Sequence, residues 1–509
     1  MAYLIGIDVG TSGTKAVLLD EAGKVLASVT EEYPLYCEKP LWSEQEPEDW
    51  WKACVAAVNN VVKRAGVKAD QVKGIGLTGQ MHGLVLLDKD NCVLRRAILW
   101  NDQRTAAECS EIEKAAGGRK KLIELVKNPA LTGFTAPKIL WVRKNEPQVY
   151  EKAVRVLLPK DYIRFRMTGE YATDASDASG MLLLDVAKRQ WSDELLGKLK
   201  IDKKMLPKVY EGPEETGCLT KDAAKVLGLK AGVPVAAGGG DQAAGAVGNG
   251  IVKVGAVSAT MGTSGVVFAH SDTVNTDPEG RLHTFCHAVP GKWHVMGVVL
   301  SAGGAFQWFR DALCSEEKSV AARMGVDPYE LITSQAKDVG PGAEGLVFLP
   351  YLTGERTPHA DPFARAAFVG LTRRHGKGHM ARAVMEGAAF AMRDSFEIIR
   401  ALNIPVTEIR VSGGGARSEL WRKMQAEIYG GPVVTVSAVE GPAFGAALLS
   451  GVMTKVWKNV EQACDASIAI TTRTAADKKN IDKYNKLYPV YVKLYKDLKD
   501  DFHTLSGLV

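Results

Sequence analysis

The tetrapeptide GTSG occurs twice in this chain, in IGIDVGTSGTKAVLLD near the start and in VSATMGTSGVVFAH just past the middle. Each copy is entered from an apolar run and leads into another, the pattern of a tight turn between two strands. Glycine permits positive φ and close backbone approach, Thr and Ser bring hydroxyls, and successive N–H groups can point at one anion. One such turn reads as an ordinary hairpin. Two turns about half a chain apart point to an internal duplication, with two similar halves gripping one nucleotide from opposite sides.

At 509 residues the chain is too long for one core, and two large domains fit its length. Net charge is +5 over 64 basic and 59 acidic residues, with no basic block, which argues against a nucleic-acid or membrane-surface role. MAYLIGID has no charged region followed by an apolar core, and no apolar stretch is long enough to span a bilayer. The eight cysteines are scattered without a CxxC pair and read as reduced thiols of a cytoplasmic protein.

The pattern predicts strands over 3–8, Lys15 to Asp20 and Val25 to Thr30, then a capped amphipathic helix from about Pro47 closed by Gly66. VKGIGLTG and GLVLLD return to strand, and residues 105–230 mix helical patterns with short turns. GVPVAAGGGDQAAGAVGNGIV reads as strand, Gly-rich loop and helix; EIRVSGGGARSELWRKMQAEIYG reads as strand, Gly turn and helix. Tyr484, Tyr488, Tyr491 and Tyr495 stand at helical spacing and predict a packing face. GTSGTK is not a Walker A loop, and GIGLTG, though it fits GxGxxG, runs into loop and strand instead of a helix.

Two carboxylates stand beside these turns. Asp8 lies two residues before the first GTSG, where it would repel an anion unless a cation such as Mg²⁺ intervenes; it would equally cap a turn. Asp241 follows three glycines and would start a helix, as an N-cap or as a general base that takes a proton from an attacking alcohol. QMHG (Gln80 to Gly83) and LWNDQRT (Leu99 to Thr105) gather the hydrogen-bonding and aromatic side chains that sugar and polyol sites use, although His82 alone would read as a structural histidine.

GFTAPKILWVRKN (Gly133 to Asn145) and AAFVGLTRRHGKGHMARAVMEG (Ala366 to Gly387) resemble the two signatures of the FGGY carbohydrate kinases, part of the actin-like ATPase superfamily, and the resemblance covers nearly the whole chain. LWSEQEPEDWW, GQMHG, AILWNDQRT, LLPKDY, MTGE, DVAKRQWSDELL and FLPYLTGERTPH are similar to the xylulokinase branch. The resemblance implies an α/β chain of two ribonuclease-H-like domains, 1–245 and 246–509, flanking a nucleotide and sugar cleft. It implies transfer of the ATP γ-phosphoryl group to the 5-hydroxyl of D-xylulose, with Mg²⁺. Carried over residue by residue, Thr11, Ser12 and Lys15 are the first phosphate site, and Gly262 and Thr263 the second, with Gly303 and Gln307 nearby. Gly414, Gly415, Ala416 and Ser418 are the adenosine site. Asp241 is the catalytic base and Asp8 the metal-associated carboxylate, with Asp241 also beside the metal. Met81, His82, Trp100, Asn101 and Asp102 are sugar contacts.

One position departs from the pattern. Gln242 follows the base where xylulokinases have Asn and glycerol kinases have Gln, which leaves ribulose, glycerol and erythritol as alternative acceptors. QMHG stands where glycerol kinases have an Arg–Glu pair, which favours xylulose. Ser418 stands where glycerol kinases have Asn. A nucleotide-switch protein and a sugar-sensing pseudokinase are rival classes; the sugar-type loops speak against the first, and Asp8 with Asp241 against the second. The family contains monomers and dimers, and no interface stripe decides between a monomer and a homodimer here.

Overall fold

The computed structural model describes residues 2–438 and 440–508. Two sheets of one plan organise the chain. The first has six strands in the order Glu215–Cys218, Pro234–Gly240, Val72–Gly79, Tyr3–Val9, Gly13–Asp20, Val25–Glu32. The second has seven, in the order His283–Cys286, Trp293–Val299, Gly265–Ser271, Gly255–Met261, Val406–Ser412, Val433–Val436, Ile470–Thr474. In each, an antiparallel meander opens the sheet and its first strand is then paired in parallel by a later one. Both GTSG segments join the first two strands of their sheet, so the duplication read from the motif extends to the topology.

Local chemistry accounts for the elements nearest the site. The helix Pro47–Ala65 starts with Pro in its first turn, has Glu48 and Asp49 there and Lys63 and Arg64 in the last, and stops at Gly66 with φ 65°. Its Trp50, Cys54, Val58 and Val61 are buried against the first sheet. The GGG of Gly238 to Gly240 departs from expectation: these glycines complete the strand Pro234–Gly240 instead of forming a loop. The pairing with Val72–Gly79 shifts register between Ala236 and Gly239. Gly238 sits there at φ 77°, and a Cβ on it would fall 1.7 Å from the Leu77 carbonyl oxygen.

The halves are joined through packed surfaces. Helix Pro442–Met453, from the second half, lies on the first half's strands: a Cβ on Gly6 would meet the Ala443 carbonyl at 1.9 Å, and one on Gly76 the Ala446 carbonyl at 1.8 Å. Leu4, Val17, Val247, Phe444 and Leu448 share one buried cluster across this seam. The tyrosine stripe is a packing face, as its spacing predicts: in helix Lys478–Ser506, Tyr484 donates to Glu386 at 2.7 Å and Tyr488 to Asp394 at 2.6 Å. Among the described residues, no helix is long and apolar enough to cross a membrane.

Candidate active site

Parallel pairing puts the two carboxylates at one edge of the first sheet. Val9, Gly79 and Gly240 stand side by side at the ends of three neighbouring strands. Asp8 precedes the first of these ends; Asp241 follows the last, as the first residue of helix Asp241–Gly248. The N-cap is Gly240, so Asp241 is not the N-cap residue that its sequence position allows. Burial pushes the Asp8 carboxyl up to about 7, with the nearby Asp241 charge adding to the rise and Lys15 opposing it. Burial raises Asp241 to about 6, and donation from the backbone and side chain of Gln242 holds it from rising further. Asp8 Oδ1 is buried with no hydrogen-bond partner.

The first GTSG turn is closed by Gly10 N–H donating to Gly13 O at 3.1 Å. Gln80 Nε2 donates to Gly10 O at 3.2 Å, and Gln45 Nε2 to Thr11 O at 2.6 Å. Thr11 Oγ1 accepts from Trp100 Nε1 at 2.9 Å and donates to Gln80 Oε1 at 3.3 Å. Trp100 therefore braces the turn with its only donor, and only its ring face is left to meet a sugar. Ser12 is exposed at the tip. Lys15 is not free: its Nζ lies 2.6 Å from Glu440 Oε2.

His82 is held in the left-handed region at φ 72°. Its main-chain carbonyl accepts from Lys138 Nζ at 2.9 Å and Thr135 Oγ1 at 3.0 Å. His82 Nδ1 lies 2.8 Å from the Gly180 carbonyl oxygen. A carbonyl only accepts, so Nδ1 carries the proton and Nε2 is an acceptor suited to a hydroxyl. Burial and the Lys138 charge hold the ring well below the usual histidine range, hence neutral. The Met81 side chain lies against Gly240, where a Cβ would approach its Sδ to 2.9 Å. Asn101 Oδ1 is buried without a partner. Asp102 is a correction: it is fully buried, and its carboxylate accepts from Ser43 N at 2.7 Å and from Arg104 Nη2 at 2.6 Å. It shapes the loop and offers a sugar no free atom.

The second GTSG turn is tighter than the first: Met261 pairs with Gly265, whereas Val9 pairs with Thr14. It docks on the start of helix Gly303–Leu313, with Gly303 N–H donating to Gly262 O at 2.8 Å and Gly304 N–H to Thr263 O at 2.9 Å. A cavity of about 520 Å³ opens beside it, and Gly262, Thr263, Gly303, Gln307, Gly414, Gly415 and Ser418 all line it. Ser418 also caps helix Glu419–Tyr429, accepting from Trp421 N–H. Its aromatic walls, Phe306, Tyr329 and Trp421, carry no motif; at helical spacing they read as core. A second cavity of about 530 Å³ shares Gly414 and Arg417 with the first and runs to Ala416, Gln242 and Asp241. Asp241 and the nucleotide-type pocket thus lie on neighbouring cavities that meet at Gly414 and Arg417.

Two sheets of one plan, a glycine-hydroxyl turn on each and a carboxylate at the strand edge define a phosphoryl-transfer cleft. The chain belongs to the FGGY family of carbohydrate kinases: the N-terminal domain model of that family matches residues 3–248 and the C-terminal domain model residues 257–454. It is 45% identical over 447 residues to a xylulose kinase of Escherichia coli (strain K12), covering 88% of this chain and 89% of that protein. It is 38% identical over 500 residues to a xylulose kinase of Bacillus subtilis (strain 168), covering 98% of each. The crystal structure of ligand-bound xylulose kinase from Lactobacillus acidophilus superimposes with a TM-score of 0.92 at 28% identity, covering 99% of this chain and all of that one.

Proposed function

We propose that this carbohydrate kinase transfers the γ-phosphoryl group of ATP to the 5-hydroxyl of D-xylulose, with Asp241 as general base. The observation that carries the reading is that the cavity lined by Asp241 and Gln242 and the nucleotide-type cavity share Gly414 and Arg417 as walls. A base raised to about 6 is ionised near neutral pH yet basic enough to take the hydroxyl proton as the oxygen attacks phosphorus. The leaving group is ADP. The neutral His82, with Nε2 as acceptor, would orient a sugar hydroxyl beside Met81, Asn101 and the Trp100 ring, and Gln242 would orient Asp241.

Thr11, Ser12, Lys15, Gly262 and Thr263 would hold the phosphates, and Gly303, Gln307, Gly414, Gly415, Ala416 and Ser418 the rest of the nucleotide. Asp8 suits Mg²⁺: Oδ1 lacks a partner, and its repulsion with Asp241 is what a cation relieves. When bound, Mg²⁺ supplies charge neutralisation of the phosphates. Closure of domains 1–245 and 246–509 on the substrates would exclude water as a competing acceptor. We assign the enzyme to the cytoplasm, in keeping with eight unpaired cysteines.

The test is ADP release from Mg²⁺-ATP in the presence of D-xylulose, D-ribulose, L-ribulose, glycerol, erythritol or no sugar. Strong preference for D-xylulose is expected. Preference for another polyol refutes the acceptor and makes Gln242 the first residue to exchange for Asn. Release that ignores every sugar refutes the kinase reading.

A further inference from the structure

Beneath the edge that bears Asp241 lies a fully buried cluster of charged side chains that the chemistry does not itself use. Lys160 Nζ lies 2.6 Å from Asp161 Oδ1, 2.8 Å from Asp174 Oδ1 and 3.1 Å from Asp177 Oδ2. Arg164 joins through Asp161 at 3.5 Å and donates to the carbonyls of Ala236 at 2.8 Å and Ala237 at 2.6 Å, in the strand that leads into Asp241. Three carboxylates against two cations leave an excess of one negative charge in a cluster buried from bulk solvent. Such an arrangement stabilises poorly compared with an apolar core and fits a role in fixing geometry.

What the cluster fixes is the five-residue helix Ala175–Ser179. Asp174 caps it, accepting from Ser176 N at 2.7 Å, from Asp177 N at 3.2 Å and from Ser176 Oγ. With its proton committed to Asp174, Ser176 Oγ turns its lone pairs outward and accepts from Gly240 N–H at 3.0 Å, one residue before Asp241. At the other end, Gly180 N–H donates to Asp177 O at 3.0 Å, and the Gly180 carbonyl takes the His82 Nδ1–H. Ser179 Oγ accepts from Cys286 N–H at 3.0 Å, in an edge strand of the second sheet. One short helix therefore touches the backbone beside the base, the sugar-side histidine and the opposite domain.

We propose that Lys160, Asp174 and Ser176 are positioning residues for phosphoryl transfer: they clamp helix Ala175–Ser179 so that it fixes the Gly240 amide, and with it the aim of Asp241, in register with His82. The inference rests on Asp241 being the base. Burial and the surrounding carboxylates raise Asp177 well above the usual carboxylate range, consistent with the excess charge being relieved by a proton there.

The test uses the full chain with Ser176→Ala, which removes the acceptor for Gly240 N–H and leaves every group that meets the substrates. The expected result is a kcat lowered about ten-fold, with the ATP Kd and sugar KM within about two-fold of wild type. The acid limb of the kcat profile should move by about 0.3 pH unit or more, because the carboxylate's surroundings change. Asp174→Asn, which keeps the cap acceptor and removes the charge beside Lys160, should lower kcat in the same direction and serves if Ser176→Ala fails to fold. A folded variant with a lower melting temperature but wild-type kcat and acid limb overturns the proposal, leaving the cluster a structural support only. Asp241→Asn run in parallel separates the failures: near-normal turnover there overturns the base assignment itself, whereas an inactive Asp241→Asn beside an unaffected Ser176→Ala overturns the positioning alone.

Discussion

Lys15 Nζ and Glu440 Oε2 meet at 2.6 Å across the boundary between the two halves of the chain. The same carboxylate oxygen accepts from Ser28 Oγ at 2.8 Å. Lys15 stands opposite Asp8 in the hairpin that carries the first GTSG turn. Glu440 leads into helix Pro442–Met453, which rides on the strands holding Asp8 and Gln80's neighbour Gly79. A phosphate drawn to Lys15 would compete with Glu440 for its charge, and Glu440 stands just before the helix that packs on the first sheet.

Replacing Glu440 with Gln removes the competing charge and keeps a hydrogen-bonding group for Ser28. ATP should then bind about three-fold tighter without sugar, the scale of a half-exposed ion pair. Titration calorimetry of wild type and Glu440→Gln checks this, and unchanged or weaker ATP binding would show that the pair does not oppose the nucleotide.

With Asp241 as the proposed base, the raised carboxylates should set the acid side of the activity profile. Asp241, raised to about 6, accepts a proton only when ionised, so turnover should fall about ten-fold per pH unit well below that value. In the free enzyme Asp8 is raised to about 7 by burial, with the Asp241 charge adding to the rise. The acid limb of kcat/KM, which reports the free enzyme, should therefore lie above that of kcat, where a bound cation favours both ionised forms. Initial rates from pH 5 to 9 with saturating and limiting sugar test this; coincident limbs would sink it.

The same shift carries a stability consequence of known sign. Asp8 binds its proton more tightly when folded, with a pKa of about 7 against an ordinary 3.8, so its contribution favours folding below about pH 4 and is lost as pH rises through 7. At pH 8 the ionised Asp8 is a burden on the ligand-free fold. Asp8→Asn should lose turnover yet unfold later, gaining about 1–3 kcal/mol at pH 8 and little at pH 4. Denaturant melts of the ligand-free protein at both pH values decide it, and a variant less stable at pH 8 would show that the carboxylate is not strained there.

How far the sequence reaches can be read from individual residues. The GTSG repeat announced the duplicated topology because a turn between strands is a local event, dictated by Gly, Ser and Thr over four positions. Helix Pro47–Ala65 was equally legible from its acidic first turn, basic last turn and closing Gly66. Gly238 to Gly240 misled, since glycine in quantity signals a loop, while here it admits a neighbouring strand's carbonyl at a bulge. Asp102 misled because its partners, Ser43 and Arg104, come together only in the fold. Lys160, within LLPKDY, Asp174 and Ser176 gave no sign of acting together: buried ion clusters draw on distant segments, and no spacing rule joins them. The aromatic walls Phe306, Tyr329 and Trp421 were hidden for the opposite reason, as apolar residues on helices look alike whether they face a core or a ligand.

Four histidines, His270, His283, His287 and His294, pack among Phe268 and Phe285 where the second sheet meets the first half. His294 stacks on Phe268 with ring centroids 4.1 Å apart. Burial brings His283 and His287 down to about 3 and holds His294 well below the ordinary range, the neighbouring histidines adding to the effect for His287 and His294. A histidine that stays neutral when folded but takes a proton when unfolded stabilises the fold above pH 6.5, and that stability is lost as pH falls towards its folded value. Glu355, raised to about 8, and Asp394, raised to about 7, act in the opposite sense, so the wild-type profile alone does not isolate the rings. The difference between His294→Leu and wild type does. Near pH 8 the variant should lie within about 1.5 kcal/mol of wild type, as for an exchange that conserves volume. Below pH 6.5 its relative stability should grow by about 1.4 kcal/mol per pH unit, the linkage slope of one proton. Urea melts of both proteins between pH 8 and pH 5 measure that slope, and a difference independent of pH would mean that His294 is protonated equally in the folded and unfolded chains.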